Sequence, residues 1–230
     1  MEIKYNGWEL IEFDNANNFR EYQHEFISKT IIGKTAEIGP GRGGNIKSYI
    51  KKISSLTLYE PTLNLYKFLK KRYKSNKKIK VINKTFQRKQ NKFDTIIYLD
   101  VIEHIRKDKL EISNALNNLK NNGHLIINVP AFNLLYSEFD KEIGHYKRYR
   151  KKDFKEIIKN KKYLKVEMKY YDSIGFMLAF LAKTLKLDFK KNFRNKIVLW
   201  NKLIPLSKIL DRLTFNLFGK SLMIIIKKNK

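Results

Sequence analysis

A glycine-rich segment of the chain has the spacing of a ligand-binding turn. Residues 35–45 read TAEIGPGRGGN, in which a short apolar run leads through four glycines toward a predicted helix from Asn45. A chain that turns sharply off a strand and lets a ligand approach its backbone has no room for Cβ atoms, so Gly39, Gly41 and Gly43 or Gly44 suit such a turn. This segment predicts the floor of a nucleotide-type cofactor site. The alternative is a glycine-rich turn that binds no ligand.

Acidic side chains follow two further apolar runs. Glu60 comes directly after the run LTLY, about 20 residues past the first glycine, where a carboxylate can accept hydrogen bonds from both hydroxyls of a ribose. Asp100 directly follows the run TIIYL, and Glu103 and His104 come shortly after it. The two runs therefore deliver polar groups where predicted strands end.

The segment 131–150, AFNLLYSEFDKEIGHYKRYR, holds the densest cluster of polar and aromatic side chains. Long loops in compact domains often carry function. If the chemistry at this segment takes a proton from a hydroxyl, a positioned base is required. We take His145 as the first candidate for that base, His104 as the second, and Asp140 as the group that orients it. The alternative is that this cluster, which includes Arg148, only ties the loop to the domain.

These segments need a scaffold that brings them together. Along the chain, short apolar runs alternate with helical patterns, which argues for a parallel sheet covered by helices on both faces. Such sheets bind ligands outside the C-terminal ends of their strands, beside the first strand. The glycine turn, Glu60 and Asp100 all fall on that edge.

Helical sections precede and follow this alternation, within a chain treated as a single domain of residues 1–230. Residues 1–32 are predicted to carry an N-terminal helix from Asn15, with Asp14 as its N-cap. Residues 173–218 contain two apolar helical stretches studded with lysine and broken by Pro205. Their longest uncharged run is well short of the roughly 20 residues that a spanning helix needs. The section could cap the acceptor pocket, contact a membrane interface or form an oligomer interface.

The chain is strongly basic, with 49 Lys and Arg against 22 Asp and Glu and a net charge of +27. Such a charge attracts nucleic acid or an anionic membrane surface. It is nearly all lysine and is spread over every segment, as compositional drift would also produce, whereas a nucleic-acid site usually concentrates its charge. The chain has no cysteine, which excludes disulfides and thiolate metal sites, and no metal site is predicted. The N-terminus lacks the pattern of a secretory signal, so a cytoplasmic protein is expected.

The glycine turn fits a nicotinamide dinucleotide or a nucleotide-type cofactor that bears a positive charge or an amine. Gly39, Gly41 and Gly44 satisfy G-x-G-x-x-G, the pattern of nicotinamide dinucleotide sites. Glu37 stands two residues before the first glycine, where dinucleotide folds ordinarily have an apolar residue, and its charge can serve a cationic or amine-bearing ligand. The second half of the chain also lacks a separate catalytic domain of the kind that dehydrogenases carry.

Four motifs carry a resemblance to a known family. AEIGPGRGGN, YEPT, FDTIIYLDVIEHI and GHLIINVP together resemble the motifs of class I S-adenosylmethionine-dependent methyltransferases. GWEL, NNFREY, VPAFN, GHYKRYRKKDF and GKSLMII are similar to those of a bacterial subgroup with an expanded C-terminal section. The resemblance implies an α/β, Rossmann-like, doubly wound sheet of seven strands in the order 3-2-1-4-5-7-6, with the last strand antiparallel. A helical cap would be added between the last two strands.

The resemblance also implies roles for individual residues toward S-adenosylmethionine, whose product is S-adenosylhomocysteine. Gly39, Gly41 and Gly43 would line its methionine and ribose portions, and Glu37 would lie beneath them. Two further carboxylates complete this part of the site: Glu60 would hold the ribose hydroxyls, and Asp100 would lie close to the methionine and methyl region.

The chain departs from the family at the end of the third strand. The family usually offers an acidic residue to the adenine amine there, whereas this chain reads INKTFQ. Thr85 or Phe86 takes that place.

Three hypotheses for the substrate follow from the resemblance. The first is O-methylation of a small-molecule or lipid-linked acceptor, broadly similar to quinone O-methyltransferases, with peripheral contact to an anionic membrane at its inner face. The second is methylation of RNA or another nucleic acid, although the chain lacks the Asn/Asp-Pro-Pro-aromatic motif of base amino-methyltransferases after its fourth strand. The third is a non-catalytic module that binds the cofactor.

Overall fold

The computed structural model describes residues 7–87, 92–159, 161 and 163–229, and residues 1–6 of the predicted N-terminal section lie outside this range. The strands are β1 Gly33–Ile38, β2 Ile53–Tyr59, β3 Ile79–Ile82, β4 Phe93–Leu99, β5 Leu119–Pro130, β6 Leu164–Tyr171 and β7 Ser221–Lys228. The described strands form one seven-stranded sheet in the order β3-β2-β1-β4-β5-β7-β6. β1 to β5 pair in parallel, and β7 runs antiparallel to both β5 and β6. The predicted fold and strand order are confirmed.

Helices precede the sheet, connect its strands and fill the β6–β7 connection. They are α1 Leu10–Phe13, α2 Asn17–Ile27, α3 Ile46–Tyr49, α4 Leu63–Arg72, α5 Asp108–Asn118, α6 Glu138–Glu142, α7 Lys151–Ile158, α8 Ser173–Thr184 and α9 Phe193–Leu213. Short 3₁₀ turns occupy Ile50–Lys52, Ile102–His104 and Asn133–Leu135. The helix predicted from Asn45 is shorter than its pattern suggests, because β2 begins at Ile53 and leaves room for little more than α3 and one turn.

The central strands bury side chains on both faces of the sheet. On β4, Ile96 belongs to an apolar cluster that includes α5 and α7, whereas its neighbour Ile97 belongs to a cluster that includes α2 and α9. Adjacent residues of a strand point to opposite faces, so a continuous apolar run is what a sheet covered on both sides requires. Each fully buried Ile contributes about 1.5–3 kcal/mol to stability.

The start of α2 differs from the prediction. Asp14 is not its N-cap: α2 begins at Asn17, and the Asp14 carboxylate instead binds Arg20 at 3.1 Å and Arg42 at 2.6 Å. The backbone N–H of Phe19, in the first turn of α2, donates to Oδ1 of Asn201 at 3.1 Å. The side chain of Asn201 in α9 therefore caps the first turn of α2, as Asp14 was predicted to do.

Pro205 does not break α9, which continues through it to Leu213. Proline has no N–H to bond the carbonyl four residues earlier, here that of Asn201. Nδ2 of Asn18 donates to that carbonyl at 3.0 Å, so the acceptor freed by Pro205 is satisfied by α2. The prediction that Pro205 breaks the helix was wrong because Asn18, which satisfies the free carbonyl, lies far away in the sequence.

The helices α8 and α9 connect β6 to β7, and a backbone hydrogen bond between Asp172 and Lys220 joins the two ends of this connection. The backbone N–H of Lys220 donates to the carbonyl of Asp172 at 3.0 Å, next to the last β6–β7 pair, Tyr171 with Ser221. The buried Asp211 of α9 accepts hydrogen bonds from the backbone N–H groups of Asp172 at 2.7 Å and of Ser173 at 2.9 Å. In the part of the chain that the structure describes, none of the helices combines the length and apolar character needed to cross a bilayer.

Candidate active site

The glycine turn leaves β1 with backbone angles that favour glycine. Gly39, Gly41 and Gly43 have φ values of +60°, +57° and +74°. A Cβ at Gly39 would also lie 2.9 Å from Cγ2 of Val101, so a larger residue would be both strained and too close to its neighbour. The backbone N–H of Gly39 donates to the carbonyl of Tyr59 at 2.9 Å, which holds the turn beside the end of β2. The turn thus presents bare backbone at the predicted edge of the sheet.

Glu37 lies beneath the turn with 2% of its surface exposed. The hydroxyl of Tyr49 donates a short hydrogen bond to its Oε2. Burial raises the pKa of Glu37 to about 7, although the Tyr49 hydrogen bond and the charge of Arg20 oppose this rise. Glu37 is therefore a buried carboxyl group at the end of β1 whose pKa lies well above its usual range.

Glu60 follows β2 and is 3% exposed. Its Oε1 accepts a hydrogen bond from the backbone N–H of Thr62 at 2.9 Å, and burial raises its pKa. Nδ2 of Asn83 donates to the carbonyls of Glu60 and Pro61, both at 2.9 Å, so the end of β3 is tied to the Glu60 segment. The carboxylate is thereby fixed next to the glycine turn.

The two residues predicted near the adenine differ in exposure. Thr85 is exposed, whereas Phe86 is buried. The ring of Phe86 packs edge-on against Tyr59 with centroids 5.0 Å apart, and it belongs to the core cluster on the α5 side of the sheet. The predicted partners thus differ in kind, one an apolar wall and the other a surface hydroxyl.

Asp100 directly follows β4 with a φ of +57°, which is unusual for a residue other than glycine. Its side chain is exposed to solvent, yet the protein atoms packed around its carboxylate raise its pKa, and the hydrogen bond from Asn128 opposes this rise. Nδ2 of Asn128 donates to Oδ1 of Asp100 at 2.7 Å, and the hydroxyl of Tyr171 donates to Oδ1 of Asn128 at 2.9 Å. This strained position is supported from the neighbouring strand.

A chain of side chains links Asp100 to the glycine turn. Nε2 of Gln23 donates to the Tyr171 hydroxyl at 3.3 Å, and Nδ2 of Asn45 donates to Oε1 of Gln23 at 3.4 Å. Nη1 of Arg20 then donates to Oδ1 of Asn45 at 2.9 Å. The Arg20 guanidinium lies against Gly44, whose added Cβ would be 2.6 Å from its Cζ. Neither Gln23 nor Asn128 was identified from the sequence, because an isolated amide carries no motif.

The segment 131–150 brings His145 and Asp140 together as predicted partners. Nδ1 of His145 lies 2.8 Å from Oδ1 of Asp140. Arg148 binds the two carboxylate oxygens of Asp140 with Nε at 2.9 Å and Nη2 at 3.0 Å, and Ser137 donates to Oδ2 from its backbone and its hydroxyl. Burial raises the pKa of Asp140, but the hydrogen bonds and charges of His145 and Arg148 outweigh it and bring the value to about 2. An ionised Asp140 accepts the Nδ1 proton, so in the neutral imidazole of His145 the lone pair is on Nε2.

His145 also contacts the residues that follow β4. Its Nε2 is 3.8 Å from Oε1 of Glu103, and its ring lies 4.6 Å from that of His104, nearly perpendicular to it. Glu103 is fully buried, and among the described residues neither of its carboxylate oxygens has a hydrogen-bond partner. The sequence placed Glu103 at this edge without giving it a role. The structure makes it a neighbour of both candidate bases.

The other members of the cluster have structural contacts. Tyr149 is buried, and its hydroxyl donates to Oδ2 of Asp108 at 2.9 Å, whereas Tyr146 is exposed. Tyr22, near Arg20 in sequence, donates instead to Oδ2 of Asp211 at 2.7 Å. Tyr149 therefore ties the loop to the rest of the domain, and Arg148 joins the same loop to Asp140, the residue that contacts His145.

The comparisons with known proteins agree on the family. The family described as "Methyltransferase domain" matches residues 33–166, which is more than half of the chain. A search of curated protein sequences finds no significant match.

Several solved structures have the same fold at low sequence identity. The YcgJ protein of Bacillus subtilis is 12% identical with a TM-score of 0.62, and the alignment covers 93% of this chain and 99% of that one. Phosphoethanolamine N-methyltransferase 2 of Haemonchus contortus, with phosphomonomethylethanolamine and S-adenosylhomocysteine, is 14% identical with a TM-score of 0.61, over 99% of this chain and 54% of that one. The N-methyltransferase NodS of Bradyrhizobium japonicum, with S-adenosylhomocysteine, is 13% identical with a TM-score of 0.56, over 94% and 88%.

The residues of this chain fit such a cofactor. A turn with glycine at positions 39, 41, 43 and 44 follows β1 at the C-terminal edge of the parallel strands, and two carboxyl groups near the ends of these strands, those of Glu37 and Glu60, are buried. This edge is where α/β sheets bind ligands, and carboxylates suit a molecule with ribose hydroxyls and positive charges. The chain belongs to the methyltransferase-domain family and is a class I S-adenosylmethionine-dependent methyltransferase.

Proposed function

We propose that this methyltransferase methylates an oxygen atom of a small-molecule or lipid-linked acceptor. The observation that carries the proposal is the 2.8 Å contact between His145 and Asp140 at the edge of the sheet that holds the glycine turn. A neutral amine has a lone pair ready for methyl transfer, whereas a hydroxyl reacts well only after a base takes its proton. A histidine oriented by an ionised carboxylate is a group suited to that task.

When bound, S-adenosylmethionine supplies a methyl group on a positively charged sulfur. The protein aligns the acceptor for in-line displacement and excludes water. In this proposal Asp140 holds the imidazole of His145 through Nδ1, and Nε2 takes the acceptor proton. His104 packs against His145 and is the second candidate base.

The cofactor roles implied by the resemblance are kept as part of the proposal. The backbone at Gly39, Gly41 and Gly43 would line the methionine and ribose portions, and Glu60 would accept hydrogen bonds from the ribose hydroxyls. Glu37 would lie beneath the turn.

The proposal includes two further cofactor contacts. Asp100 would adjoin the methyl region. Thr85 and Phe86 would flank the adenine.

Residues 173–218 act in the proposal as a cap over the acceptor site, within a single domain of residues 1–230. Nζ of Lys183 in α8 donates to the carbonyl of Leu134 at 2.7 Å, and Lys190 pairs with Glu142 at 2.9 Å. The ring of Phe139 in α6 packs against Phe193 of α9 with centroids 5.7 Å apart. These contacts support the cap because they fasten it to the segment that carries His145.

The outer surface of the cap supports a membrane partner. On α9, the leucines at 199, 206 and 213 and Ile209 are each more than half exposed and lie on one face, and Phe215 beyond the helix is 85% exposed. Lysines and arginines flank this stripe in a chain of net charge +27. An exposed apolar face rimmed by cations suits an anionic lipid surface. We therefore infer a cytoplasmic protein that binds the inner membrane face peripherally, where a lipid-linked acceptor would reside.

Labelled S-adenosylmethionine and a cell extract separated into lipid, RNA and soluble pools test the acceptor. We expect label on an oxygen in the lipid or soluble pool. His145→Ala should lower turnover by about 10²- to 10⁴-fold while cofactor affinity is unchanged. Label on nitrogen, as in the N-methyltransferases of similar structure, would refute O-methylation, and label in RNA would favour the nucleic-acid alternative that the net charge suggests. Full turnover by His145→Ala would remove the base from the proposal.

Sedimentation with vesicles tests the membrane partner. We expect binding to phosphatidylglycerol vesicles that exceeds binding to phosphatidylcholine vesicles and weakens at high salt. Leu206→Ser and Leu213→Ser should each weaken it about tenfold, since each removes an apolar side chain that would enter the interface. Leu110→Ser, on the exposed face of α5, is the matched control. Equal losses in all three variants, or no binding at all, would refute the surface.

A further inference from the structure

Glu103, His104 and His145 converge at one point although they come from two segments. Glu103 and His104 lie on the 3₁₀ turn after β4, and His145 lies in the loop between α6 and α7. One ligand atom from each of the three lies within 4.8 Å of the others. Ligands of a tetrahedral ion bound at about 2.0–2.2 Å lie roughly 3.3 Å apart, so these side chains would have to move closer together on binding. Three groups of metal-ligand type thus lie near enough to one another to share one ion.

The carboxylate of Glu103 is the second, independent sign of a cation. It is 0% exposed, and within the described residues neither oxygen has a hydrogen-bond partner. Its Oε1 faces Nε2 of His145 at 3.8 Å. A buried carboxyl group without hydrogen bonds is costly, and native structures rarely keep one without a functional reason.

Asp140 prepares His145 for such a role. It accepts the Nδ1 proton at 2.8 Å and is itself held by Arg148, so Nε2 bears the lone pair that faces Glu103. Histidines that bind metals almost always donate their other nitrogen to a carboxylate or carbonyl in this way. The contact with Asp140 would therefore orient His145 equally well as a base or as a metal-binding side chain.

From this geometry we propose that Glu103, His104 and His145 bind one divalent transition-metal ion. Two imidazoles and one carboxylate suit Zn²⁺, Fe²⁺ or Co²⁺ better than Mg²⁺ or Ca²⁺, which favour oxygen ligands. Three protein ligands leave a coordination position open, as in catalytic rather than structural sites.

The open position gives the site a use that rests on the proposed O-methylation. An acceptor hydroxyl bound there would have its pKa lowered by the ion. Its O–H bond would break as it binds the ion, before water is excluded from the site, and the proton would pass to solvent water. The oxygen then bonds to the methyl carbon while the carbon–sulfur bond breaks and leaves its electron pair on sulfur. The Nε2 lone pair of His145 is held by the ion, so the imidazole no longer takes the proton itself.

The test is metal binding by the full chain after chelator treatment and dialysis. Calorimetry with Zn²⁺ should show one ion per chain, and Co²⁺ should give the visible absorption of a nitrogen- and oxygen-bound ion. Glu103→Gln and His104→Asn should each weaken the Zn²⁺ affinity by more than about tenfold. His124→Gln, which removes a histidine of β5 outside the cluster, should bind as the wild type does. Unchanged S-adenosylmethionine affinity shows that each variant is folded.

The outcomes separate the metal site from the proposed function. Zn²⁺ affinity that is absent, or equal in wild type and Glu103→Gln, overturns the site whatever the activity. Binding that depends on Glu103, together with full O-methylation by metal-free enzyme, upholds the site and overturns its catalytic use. Binding with no O-methylated product in any pool upholds the site while the proposed function fails.

Discussion

Replacing Glu37 by glutamine should remove a pH dependence from the stability of the protein. Glu37 is 2% exposed, and its pKa is raised from 4.5 to about 7, chiefly by burial. Between these two values the unfolded chain loses the proton and the folded protein keeps it, so the folded state becomes less stable as the pH rises. Below pH 4.5 both states are protonated, and above pH 7 the loss is complete.

The magnitude follows from the size of this shift. One pKa unit corresponds to about 1.4 kcal/mol, so a rise from 4.5 to about 7 amounts to about 3 kcal/mol. Glutamine has nearly the same shape, can accept the Tyr49 hydrogen bond and does not titrate. The free energy of unfolding of Glu37→Gln should therefore rise relative to that of the wild type by about 3 kcal/mol between pH 4.5 and pH 7.

Urea denaturation at several pH values across this window measures the difference. Comparing the two proteins at each pH cancels the titration of the other buried carboxyl groups. Glu21→Gln, at an exposed position of α2, is the control and should follow the wild type throughout. Parallel stability curves for Glu37→Gln and the wild type would refute the assignment of a buried, protonated Glu37.

Three further changes test the turn, the ribose contact and the cap. Gly39→Ala should lower the affinity for S-adenosylmethionine in calorimetry and lower stability by about 1–3 kcal/mol, because alanine is strained at this positive φ. Gly33→Ala, equally strained but at the opposite end of β1, should lower stability alone. Equal losses of affinity in the two variants would contradict this. Glu60→Gln should weaken cofactor binding by about 10- to 100-fold because hydrogen bonds to a charged group are lost, and unchanged affinity would contradict its ribose role. Asp211→Ala should lower the free energy of unfolding, measured by urea denaturation, by about 3 kcal/mol. It leaves Tyr22 and two backbone N–H groups of the β6–α8 junction without their hydrogen-bond acceptor. The control Asp188→Ala, in the exposed α8–α9 connection, should change the free energy of unfolding little.

The fold was predictable because its signals are local. The alternation of apolar runs with helical patterns gives the strand count, and the glycine spacing and Glu60 mark the binding edge. The same holds for the pairing of His145 with Asp140, which are five residues apart. Where the structure departs from prediction, at Asp14 and Pro205, the deciding partner comes from a distant part of the chain.

Asn201 illustrates the limit most clearly. Its side chain receives the Phe19 N–H that Asp14 was expected to accept, and its carbonyl receives the Asn18 amide in place of the N–H that Pro205 lacks. Both contacts join positions more than 180 residues apart. Local propensity therefore cannot reveal them. The burial of Glu103 is hidden in the same way, because the loop that encloses it is remote in sequence.

The closed junction at Asp172 and Lys220 has an evolutionary consequence. The backbone hydrogen bond between them extends the β6–β7 pairing, so the two strands meet directly at the point where the helical section leaves the sheet. The intervening helices can therefore vary in sequence, provided that they still supply the buried side chains of Trp200 and Ile204 and the hydrogen bonds of Asn201 and Asp211. Selection can thus redraw the outer surface of this section for a new acceptor or a new cellular address while the machinery for handling the methyl donor is inherited unchanged.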